Sequence, residues 1–411
     1  MGRNENSVTH RPVLVVGAGP VGMSAALDLR ANGLAATVLE AEPQERVRPG
    51  SRAIFIHRES LQRLERTRPG LGREMAAHGL VWPTKRTFWR GRQVFVRDYP
   101  SPDPEALPPF TSLPQVVTER LLFDACKAAD VEFVWEAQVT EVEATAEGVT
   151  LTTESGGSWA ADYVIAADGA RSAVRRAIGV PMEGSQSENS YVIVDVAEDP
   201  DDPRPPVRDF HYEHPALGGR NVLFVPFAGS WRVDLECLAD DDPEVFSGPE
   251  GVRRWLPKVM DAKYADRVSW VSTYRFLQVL AEEFSDPSRR VLLVGEAAHL
   301  FAPFGARGLN SGIVDAEVAA DAVRAATSTA DPAAARAAIE RFASERREAA
   351  EYNRAAAGLA LAHMQGRDPV IRAKRRIAAA LAPFSRRAGA WLDSAPYGPR
   401  SGARGRAADK Y

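Results

Sequence analysis

The chain is poor in cysteine. Only Cys126 and Cys237 occur among its 411 residues, far apart and without the short spacing of a zinc site. A disulfide framework needs several cysteines and forms in oxidising compartments. The sequence therefore predicts free thiols, no structural zinc and no other bound metal.

The chain also lacks an apolar run suited to crossing a membrane. Its longest apolar stretch, VLVVGAGPVGMSAALDL at 13–29, is interrupted by three glycines, a proline and an aspartate, whereas a spanning helix needs about 20 consecutive apolar residues. The first ten residues are polar and do not follow the order of a secretory signal. We therefore predict a cytoplasmic protein without integral membrane association.

Neither sign of charge dominates the sequence. The chain carries 51 basic and 55 acidic side chains, a formal net charge of −4, which gives no general attraction to nucleic acid. With 45% hydrophobic and 26% charged residues the composition is globular, and the length suits two or three domains of about 100–200 residues each. We predict no nucleic-acid partner, and both a monomer and a homodimer stay open.

A nucleotide-binding motif follows the polar start. From Pro12 the chain reads PVLVVGAGPVGMSAALDLRANGLAATVLEAE, the pattern of a strand, a glycine-rich turn, a helix and a second strand. Gly17, Gly19 and Gly22 fit the G-x-G-x-x-G fingerprint, and Glu40 lies 23 residues after Gly17, where an acid can bind a ribose hydroxyl. The helix N-terminus attracts the phosphates. The motif predicts a bound dinucleotide but does not separate FAD from NAD(P).

Two further glycine-containing turns follow apolar strands. The stretch DYVIAADGARSAVRRAIG places Asp168 and Gly169 after a strand, and VLLVGEAAHLFAPFGARGLNSG places Gly295 and Glu296 after another. An Asp-Gly pair alone is most often an ordinary turn. The glycines in the second half of the latter stretch indicate a backbone that something bulky approaches closely, because side chains would keep it away.

The three motifs in this order resemble those of the FAD-dependent aromatic hydroxylases of the para-hydroxybenzoate, phenol and hydroxyphenylpropionate hydroxylase type. The resemblance spans about residues 12–365. It implies FAD at the fingerprint and Asp168 near the pyrophosphate. Glu296 stands where the family usually has an aspartate that bonds the ribityl chain of FAD.

Three residues outside the motifs complete the implied cofactor site. By its order in the chain, Arg52 matches an arginine that lies near the FAD phosphates and the flavin. Gln115, at the start of a predicted helix, matches a glutamine beside the ribityl chain, and Val139 would offer its backbone to the adenine. These roles are implied by the resemblance alone.

The loop PFGARGLN, from Pro303 to Asn310, is implied to lie against the isoalloxazine ring. In that arrangement backbone N–H groups of Gly308, Leu309 and Asn310 meet the pyrimidine edge of the ring. The following helix points its positive end at the same edge, where a reduced flavin gains negative charge. This loop and Arg52 are therefore the catalytic candidates, whereas we predict only a structural hydrogen bond for His299.

The predicted fold is of the α/β class, α+β overall. A Rossmann-like FAD-binding domain is interleaved with a mostly antiparallel substrate domain, and helices follow at the carboxyl end. Short alternating apolar strands suit a sheet with one covered face in the substrate domain. The predicted segments are 10–75, 100–180 and 286–365 for the FAD-binding domain, 76–99 and 181–285 for the substrate domain, 366–395 for the helical segment and 396–411 for a flexible tail.

Candidate substrate contacts come from the strands of that sheet. None of them receives a catalytic role, because each aromatic is more often a core residue; they are Phe210, His211, Tyr212, Phe224, Phe227 and Arg232. The basic segment 370–392 is partly amphipathic. It could lie on a membrane or nucleic acid, but its apolar positions favour a helix packed on the FAD-binding domain.

The resemblance implies a monooxygenase that acts on a small aromatic, phenolic compound. NAD(P)H reduces FAD, O2 adds to the flavin, and the resulting C4a-hydroperoxide transfers one oxygen to the ring. The chain has a single dinucleotide fingerprint, so NAD(P)H would bind transiently elsewhere. The alanine- and arginine-rich composition suggests bacterial secondary metabolism.

Other activities of the same fold stay open at this point. They include epoxidation, Baeyer–Villiger insertion, another antibiotic-modifying oxygenation, an O2-independent flavin reductase and a flavoprotein that retains its substrate without reacting. A halogenase is disfavoured, because the sequence has no W-x-W-x-I-P stretch.

Overall fold

The computed structural model describes residues 8–46, 50–101 and 103–398. Most of the predicted tail therefore lies outside the described residues. Its first residues do not behave as a tail, however, because Ala395–Tyr397 forms a 3-10 helix and Pro396 is buried. The packed chain thus continues past the predicted boundary at 396.

The strands and the α-helices of the described residues are numbered in chain order. The strands are β1 Thr9–Val16, β2 Thr37–Leu39, β3 Phe55–His57, β4 Thr84–Trp89, β5 Arg92–Asp98, β6 Phe110–Ser112, β7 Glu132–Val134, β8 Val139–Ala144, β9 Val149–Thr153, β10 Ser158–Ala166, β11 Met182–Ala197, β12 Val207–His214, β13 Arg220–Phe227, β14 Ser230–Glu236, β15 Val268–Ala281, β16 Val291–Leu293 and β17 His299–Leu300. The α-helices are α1 Pro20–Ala31, α2 Arg58–Thr67, α3 Leu71–His78, α4 Gln115–Ala128, α5 Ala173–Ala177, α6 Pro243–Ser247, α7 Pro249–Trp255, α8 Arg307–Thr327, α9 Pro332–Gln365, α10 Pro369–Leu381 and α11 Arg386–Ser394.

The first sheet has the strand order β7-β2-β1-β10-β9-β8, with β16 also paired to β10. Its central strands β1, β2, β7, β10 and β16 are parallel. Val13–Val16 form a continuous buried apolar run, as expected of a parallel strand covered on both faces. Val16, Ala166 and Leu293 end neighbouring strands in register, so the three sequence motifs leave the sheet at one edge.

The second sheet has the order β17-β15-β11-β14-β13-β12-β4-β5. Its neighbours are antiparallel except for the parallel pair β4 and β12. The hairpin β4-β5 comes from the predicted insertion 76–99. The mixed α/β fold predicted from the sequence is confirmed, whereas the limits of the two domains stay a prediction.

Each face of the second sheet is covered. On the outer face, Val192, Phe224 and Trp231 pack with Trp255 and Tyr264 of the helical segment that follows β14. The opposite face, which we call the loop-side face, carries Tyr191, Asp195, Phe210 and Arg232 and lies toward residues 301–306. Both faces therefore contain apolar core.

The carboxyl-terminal helices pack on the second sheet. Leu392 and Ala378 join Phe210 and Tyr212 in one apolar cluster on the loop-side face. The segment also contacts Phe304 and Met364, which lie in the stretch 286–365 predicted for the FAD-binding domain, so it packs on the second sheet as well as on that stretch. Amphipathic patterning shows that a helix has an apolar side but not which surface covers it.

The described residues offer neither a membrane-spanning helix nor a cluster of metal-binding side chains. None of the helices in 8–46, 50–101 and 103–398 combines the length and the apolar character needed to cross a membrane. The same residues contain no group of three histidine, cysteine or acidic side chains placed to hold a metal ion. Cys126 and Cys237 are buried free thiols.

A buried carboxylate joins the segments that follow β16. Asp315 of α8 accepts hydrogen bonds from Arg346 Nε of α9 at 2.8 Å, from His299 Nε2 at 2.6 Å and from the Gly295 backbone N–H at 3.1 Å. The three side chains are at most 2% exposed. Burial alone would raise the pKa of Asp315, but His299 and Arg346 hold it at about 2. His299 thus has the structural hydrogen bond expected of it.

We expect Asp315→Asn to lower the free energy of unfolding by about 3–5 kcal/mol at neutral pH, because Arg346 is left as a buried charge without its partner. Urea unfolding followed by circular dichroism measures the change. The matched control on α9 is Glu351→Gln, which removes the half-exposed pair of Glu351 with Arg347 at 3.1 Å and should cost less than about 1 kcal/mol.

The same comparison has a predicted pH dependence. Because the folded pKa of Asp315, about 2, lies below its ordinary value of 3.8, its stabilisation is complete above the ordinary value and is lost as the pH falls through the folded one. The stability difference between wild type and Asp315→Asn should therefore shrink as the pH falls through this window. A difference that stays constant over that range would contradict the charge assignment.

Candidate active site

The glycines of the first motif are required by close backbone packing. Gly17 has a φ of +103°, and a Cβ on it would lie 2.5 Å from the Ala167 carbonyl oxygen. A Cβ on Gly22 would lie 1.9 Å from the carbonyl oxygen of Gly17. Gly19 is the N-cap of α1, so the unpaired N–H groups of the first helical turn point out of this turn. The sequence signal for a phosphate-binding turn is matched by its local geometry.

Glu40 lies at this turn, as its spacing indicated. Its carboxylate accepts the Ala18 N–H at 2.6 Å and the Glu42 N–H at 3.0 Å, and the side chain is buried. Arg46, which the sequence gave no reason to select, donates to the Ala18 carbonyl at 2.7 Å and covers the same turn. Val139, whose side chain is buried, is the first residue of β8. It lies close to this turn, because the Ala137 N–H donates to the Glu40 carbonyl at 2.7 Å.

The second motif packs directly on the first. The Asp168 Cα would be 3.1 Å from a Cβ on Gly17. The Asp168 carboxylate accepts the Ser172 hydroxyl at 2.5 Å and the Val174 N–H at 3.1 Å, which caps the start of α5. Burial raises the pKa of Asp168. The structure thus brings Asp168 beside the glycine turn, with its carboxylate engaged in a local cap.

The third motif packs on the same helix. Gly295 has a φ of +57°, and Cβ atoms on Gly295 and Gly312 would lie 3.1 Å and 2.5 Å from methyl groups of Val21 on α1. Glu296 is exposed in the 3-10 turn Gly295–Ala297. The side chain of the third motif's acid is therefore exposed to solvent beside the close contact of α1 with α8.

The loop after β17 ends in a left-handed residue. Ala306, the N-cap of α8, has a φ of +52°, a conformation that costs free energy in a residue other than glycine. Gly308 and Leu309 stand in the first turn of α8, so their N–H groups have no acceptor within the helix. Pro303 is exposed at the start of the loop. This is a ready anion-binding end of a long helix.

The Asn310 side chain clamps the helix start to β3. Its Oδ1 accepts the His57 N–H at 2.9 Å and the Ser60 hydroxyl at 2.7 Å, and its Nδ2 donates to the carbonyls of Phe55 at 2.9 Å and Ala306 at 2.7 Å. The role predicted for Asn310 used its backbone. The structure adds a structural role for its side chain, which sequence reasoning missed.

Hydrogen bonds of its own carbonyl and of the preceding residue fix the backbone of Arg52. Its φ is +51° and its side chain is exposed. The Arg52 carbonyl accepts Arg232 Nη1 at 2.7 Å, and Ser51 donates its N–H and hydroxyl to the Asp195 carboxylate at 2.6 and 2.7 Å. Gln115 also belongs here, because its N–H donates to the Ser51 carbonyl at 3.0 Å and its Oε1 accepts the Ala53 N–H at 3.3 Å.

Two of the predicted substrate contacts lie on the wrong face of the sheet. His211 stacks on Phe88 at 4.3 Å and touches Phe224, which belongs to the outer core. Because successive side chains of a strand alternate between faces, His211 and Phe224 point away from the loop. We correct both assignments: they are core residues of the outer face.

The other predicted contacts lie on the loop-side face. The Tyr212 hydroxyl donates to the Leu392 carbonyl at 2.7 Å and lies 2.8 Å from His363 Nε2, so Tyr212 is fully packed against the carboxyl-terminal helices. Phe227 packs with Ile54 beside the Arg52 segment. Arg232 bonds the Asp234 carboxylate at 2.8 Å. Phe227 and Arg232 therefore lie beside the Arg52 segment, and Tyr212 is part of the packing of the carboxyl-terminal helices.

Comparison with known proteins agrees with this arrangement. A family model described as an FAD binding domain matches residues 10–356. The para-nitrophenol 4-monooxygenase of Pseudomonas sp. (strain WBC-3) is 31% identical over 328 residues, which cover 76% of this chain and 77% of that protein. The crystal structure of p-nitrophenol 4-monooxygenase from Pseudomonas putida DLL-E4 has a TM-score of 0.74 and 27% identity, and the match covers 94% of each chain.

A further relative is longer than this chain. The 3-(3-hydroxy-phenyl)propionate/3-hydroxycinnamic acid hydroxylase of Klebsiella pneumoniae subsp. pneumoniae is 28% identical over 317 residues, which cover 74% of this chain but 54% of that protein. The matched region thus spans about half the length of such hydroxylases. The family model, in contrast, includes all three motifs that meet at the edge of the first sheet. The chain therefore belongs to the FAD-binding family that contains these aromatic hydroxylases, and FAD is its cofactor.

Proposed function

We propose that the protein is an FAD-dependent monooxygenase that uses NAD(P)H and O2 to hydroxylate a small phenolic compound. One observation carries the proposal: the three motifs meet at one edge of the first sheet, and the start of α8 leads from that edge to the loop-side face of the second sheet. FAD, when bound, supplies the acceptance of hydride and the transfer of one oxygen atom. The named relatives support the reaction class.

The residues of the first-sheet edge fit FAD. Gly17 and Gly22 allow the turn to pack closely on Ala167 and α1 to pack closely on the turn, and the first turn of α1 offers N–H groups to a pyrophosphate. We assign the ADP half to Gly17, Gly19, Gly22, Glu40 and Val139. We assign the pyrophosphate and the ribityl chain to Arg52, Gln115, Asp168 and Glu296.

The start of α8 then serves the flavin ring. Backbone N–H groups of Gly308, Leu309 and Asn310, at the start of α8, would hold its pyrimidine edge, where the positive end of a helix favours negative charge. The Asn310 clamp on β3 fixes the direction of these groups before reaction, so little reorganisation is needed. The loop from Pro303 limits the access of water to the ring.

The substrate lies between this loop and the second sheet. Phe227 and Arg232 border that space, and the aromatic ring of the substrate is held against the flavin by position more than by a protein nucleophile. NAD(P)H binds transiently, since the described chain has one such glycine-rich nucleotide turn. We assign residues 10–75, 100–180 and 286–365 to the FAD-binding domain and 76–99 and 181–285 to the substrate domain.

The proposed activity has a direct test. Purified protein should be yellow and release FAD on denaturation. A phenolic substrate should accelerate NAD(P)H oxidation, consume one O2 and appear hydroxylated in mass spectrometry. NAD(P)H-dependent reduction of an added compound without O2 uptake would instead identify a flavin reductase, and an epoxide or ester product would identify another oxygenation of this fold.

We expect Glu296→Ala to weaken FAD binding by about one to two orders of magnitude, because a charge-assisted hydrogen bond contributes about 1.5–3 kcal/mol. Titration of the apoprotein with FAD, followed by quenching of flavin fluorescence, measures the dissociation constant. Glu296→Asp, which restores the family's usual acid, should bind FAD as well as wild type, and the exposed Glu283→Ala is the matched control. An unchanged affinity in Glu296→Ala would place its carboxylate away from the ribityl chain.

We expect Arg52→Ala to slow flavin reduction by NAD(P)H more than it weakens substrate binding. Arg52 stands in a left-handed conformation between Ser51 and Ala53, whose N–H groups are both hydrogen-bonded, so the segment that carries its side chain is fixed. Anaerobic stopped-flow absorbance of oxidised flavin, with and without substrate, measures the reduction rate. Arg58→Ala, an exposed arginine at the start of α2, should leave it unchanged; equal loss in both variants would rule out a specific role.

A further inference from the structure

Helix α10 exposes apolar side chains on the side that faces away from the protein. Its inner side packs through small residues, among them the buried Ala378 and Ala379. At 100° per residue, Val370, Ile377 and Leu381 stand on the opposite side, and all three are exposed, Ile377 to 59%. A surface helix normally turns its apolar side inward. This helix therefore carries a second apolar side that no described residue covers.

The outer apolar side continues into the connection between α10 and α11. Phe384, three residues after Leu381, is 90% exposed, the largest value among the exposed large apolar side chains of the described chain. We call Val370, Ile377, Leu381 and Phe384 the α10 stripe. Single exposed apolar residues are ordinary on a protein surface, whereas a row of them at helical spacing indicates a contact surface.

Cations border the α10 stripe. Five basic side chains on α10 and at the start of α11 are exposed: Arg372, Lys374, Arg376, Arg386 and Arg387. Within 8–46, 50–101 and 103–398, none of these five side chains forms an ion pair or a hydrogen bond. Asp393 is the only acid in the sequence from 369 to 398, and it is buried and paired with Lys85 at 2.9 Å. The outer side of these helices therefore combines apolar surface with positive charge that no direct ion pair neutralises.

Two occupants from the chain itself match this surface poorly. In a two-fold dimer the same patch meets itself, so the cations of both copies would lie together. The segment 399–411, outside the described residues, reads PRSGARGRAADKY. It has four basic residues, one acid and no Val, Ile, Leu, Met, Phe or Trp. It therefore offers neither the apolar surface nor the negative charge that would complement the stripe and its border.

We propose that α10 and the start of α11 dock on an anionic lipid surface, with the α10 stripe in the headgroup boundary and the bordering cations at the lipid phosphates. Helices that lie in a membrane interface combine Phe and Leu on one side with Lys and Arg beside them. Long basic side chains reach the headgroups while their stems cover apolar surface. With 13 residues, α10 is about 20 Å long, so it lies on the membrane and does not span it.

The docking surface is on the side of the molecule that carries the proposed ring site. The inner side of α10 shares one apolar cluster with Phe304 of the loop before α8 and with Tyr212 of β12. One helix diameter, about 10 Å, therefore separates the lipid from this cluster. The Tyr397 carbonyl accepts Arg307 Nη2 at 3.1 Å, which attaches the carboxyl-terminal segment to the start of α8. The docking proposal does not depend on the reaction proposed above.

Vesicle cosedimentation tests the proposal. FAD-loaded full-length protein is mixed with vesicles of phosphatidylcholine alone or with vesicles that also contain phosphatidylglycerol, and the bound fraction is measured at low and at high salt. The protein should bind the anionic vesicles at least about tenfold more tightly than the neutral ones, because each cation near the surface adds to the attraction. High salt should release it, because salt screens exposed charges.

Two variants locate the contact. Phe384→Ser should lower the affinity for anionic vesicles about tenfold, because an aromatic side chain is lost from the lipid boundary. Lys374→Gln should lower it about fivefold. The matched controls are Val245→Ser on α6 and Lys258→Gln in the 3-10 turn after α7, which are exposed positions in the segment that covers the outer face. Both controls should bind as wild type, and circular dichroism checks that all four variants fold.

Each other outcome overturns the proposal. The lipid assignment is wrong if the protein binds neither kind of vesicle, or if it binds neutral and anionic vesicles equally. A loss in Val245→Ser or Lys258→Gln equal to that in the α10 variants would remove the contact from α10. Sedimentation velocity gives the remaining outcome: a dimer that Phe384→Ser dissociates, without vesicle binding, would assign the surface to a second copy of the chain.

Discussion

The buried carboxylate of Asp315 holds together the part of the molecule on which the site depends. It bonds α9 through Arg346, the strand end through the Gly295 N–H, and β17 through His299. Gly295 belongs to the third motif and β17 leads into the loop before α8, so the carboxylate connects both of these segments to α9. Because the carboxylate is buried, the three bonds act in a medium of low polarity and fix one arrangement of these segments.

The parts of the site formed by residues close in sequence could be predicted from the sequence, whereas the contacts between distant residues could not. The turn from Gly17 to Glu40 is recognisable because its function depends on backbone geometry within one short unit. The pairing of Ser51 with Asp195 joins residues 144 positions apart, and no spacing rule reports it. The same holds for the clamp made by the Asn310 side chain, although a buried asparagine at a helix start is a reasonable signal for one.

The errors in the second sheet have one physical cause. Alternation shows that His211 and Tyr212 point to opposite faces, but it does not show which face meets the loop when both faces are covered by apolar residues. For a related reason the contact of the carboxyl-terminal helices with the second sheet was not predicted, because an apolar stripe does not show which surfaces cover it.

The proposed FAD site has two halves, a nucleotide half around Gly17 and a ring half at the start of α8. Because Tyr397 is attached to Arg307, the two halves differ in their resistance to local unfolding. The nucleotide half lies in the main core, where β1, α1 and β2 pack with one another and with β10 and α8. The ring half depends on Arg307 meeting Asn353 and Tyr397, residues 46 and 90 positions away. Fraying of the carboxyl-terminal segment would therefore release the start of α8 while the glycine turn stays folded. Amide hydrogen exchange in the first turn of α8 would follow the motion of a distant segment, whereas exchange in the first turn of α1 would not.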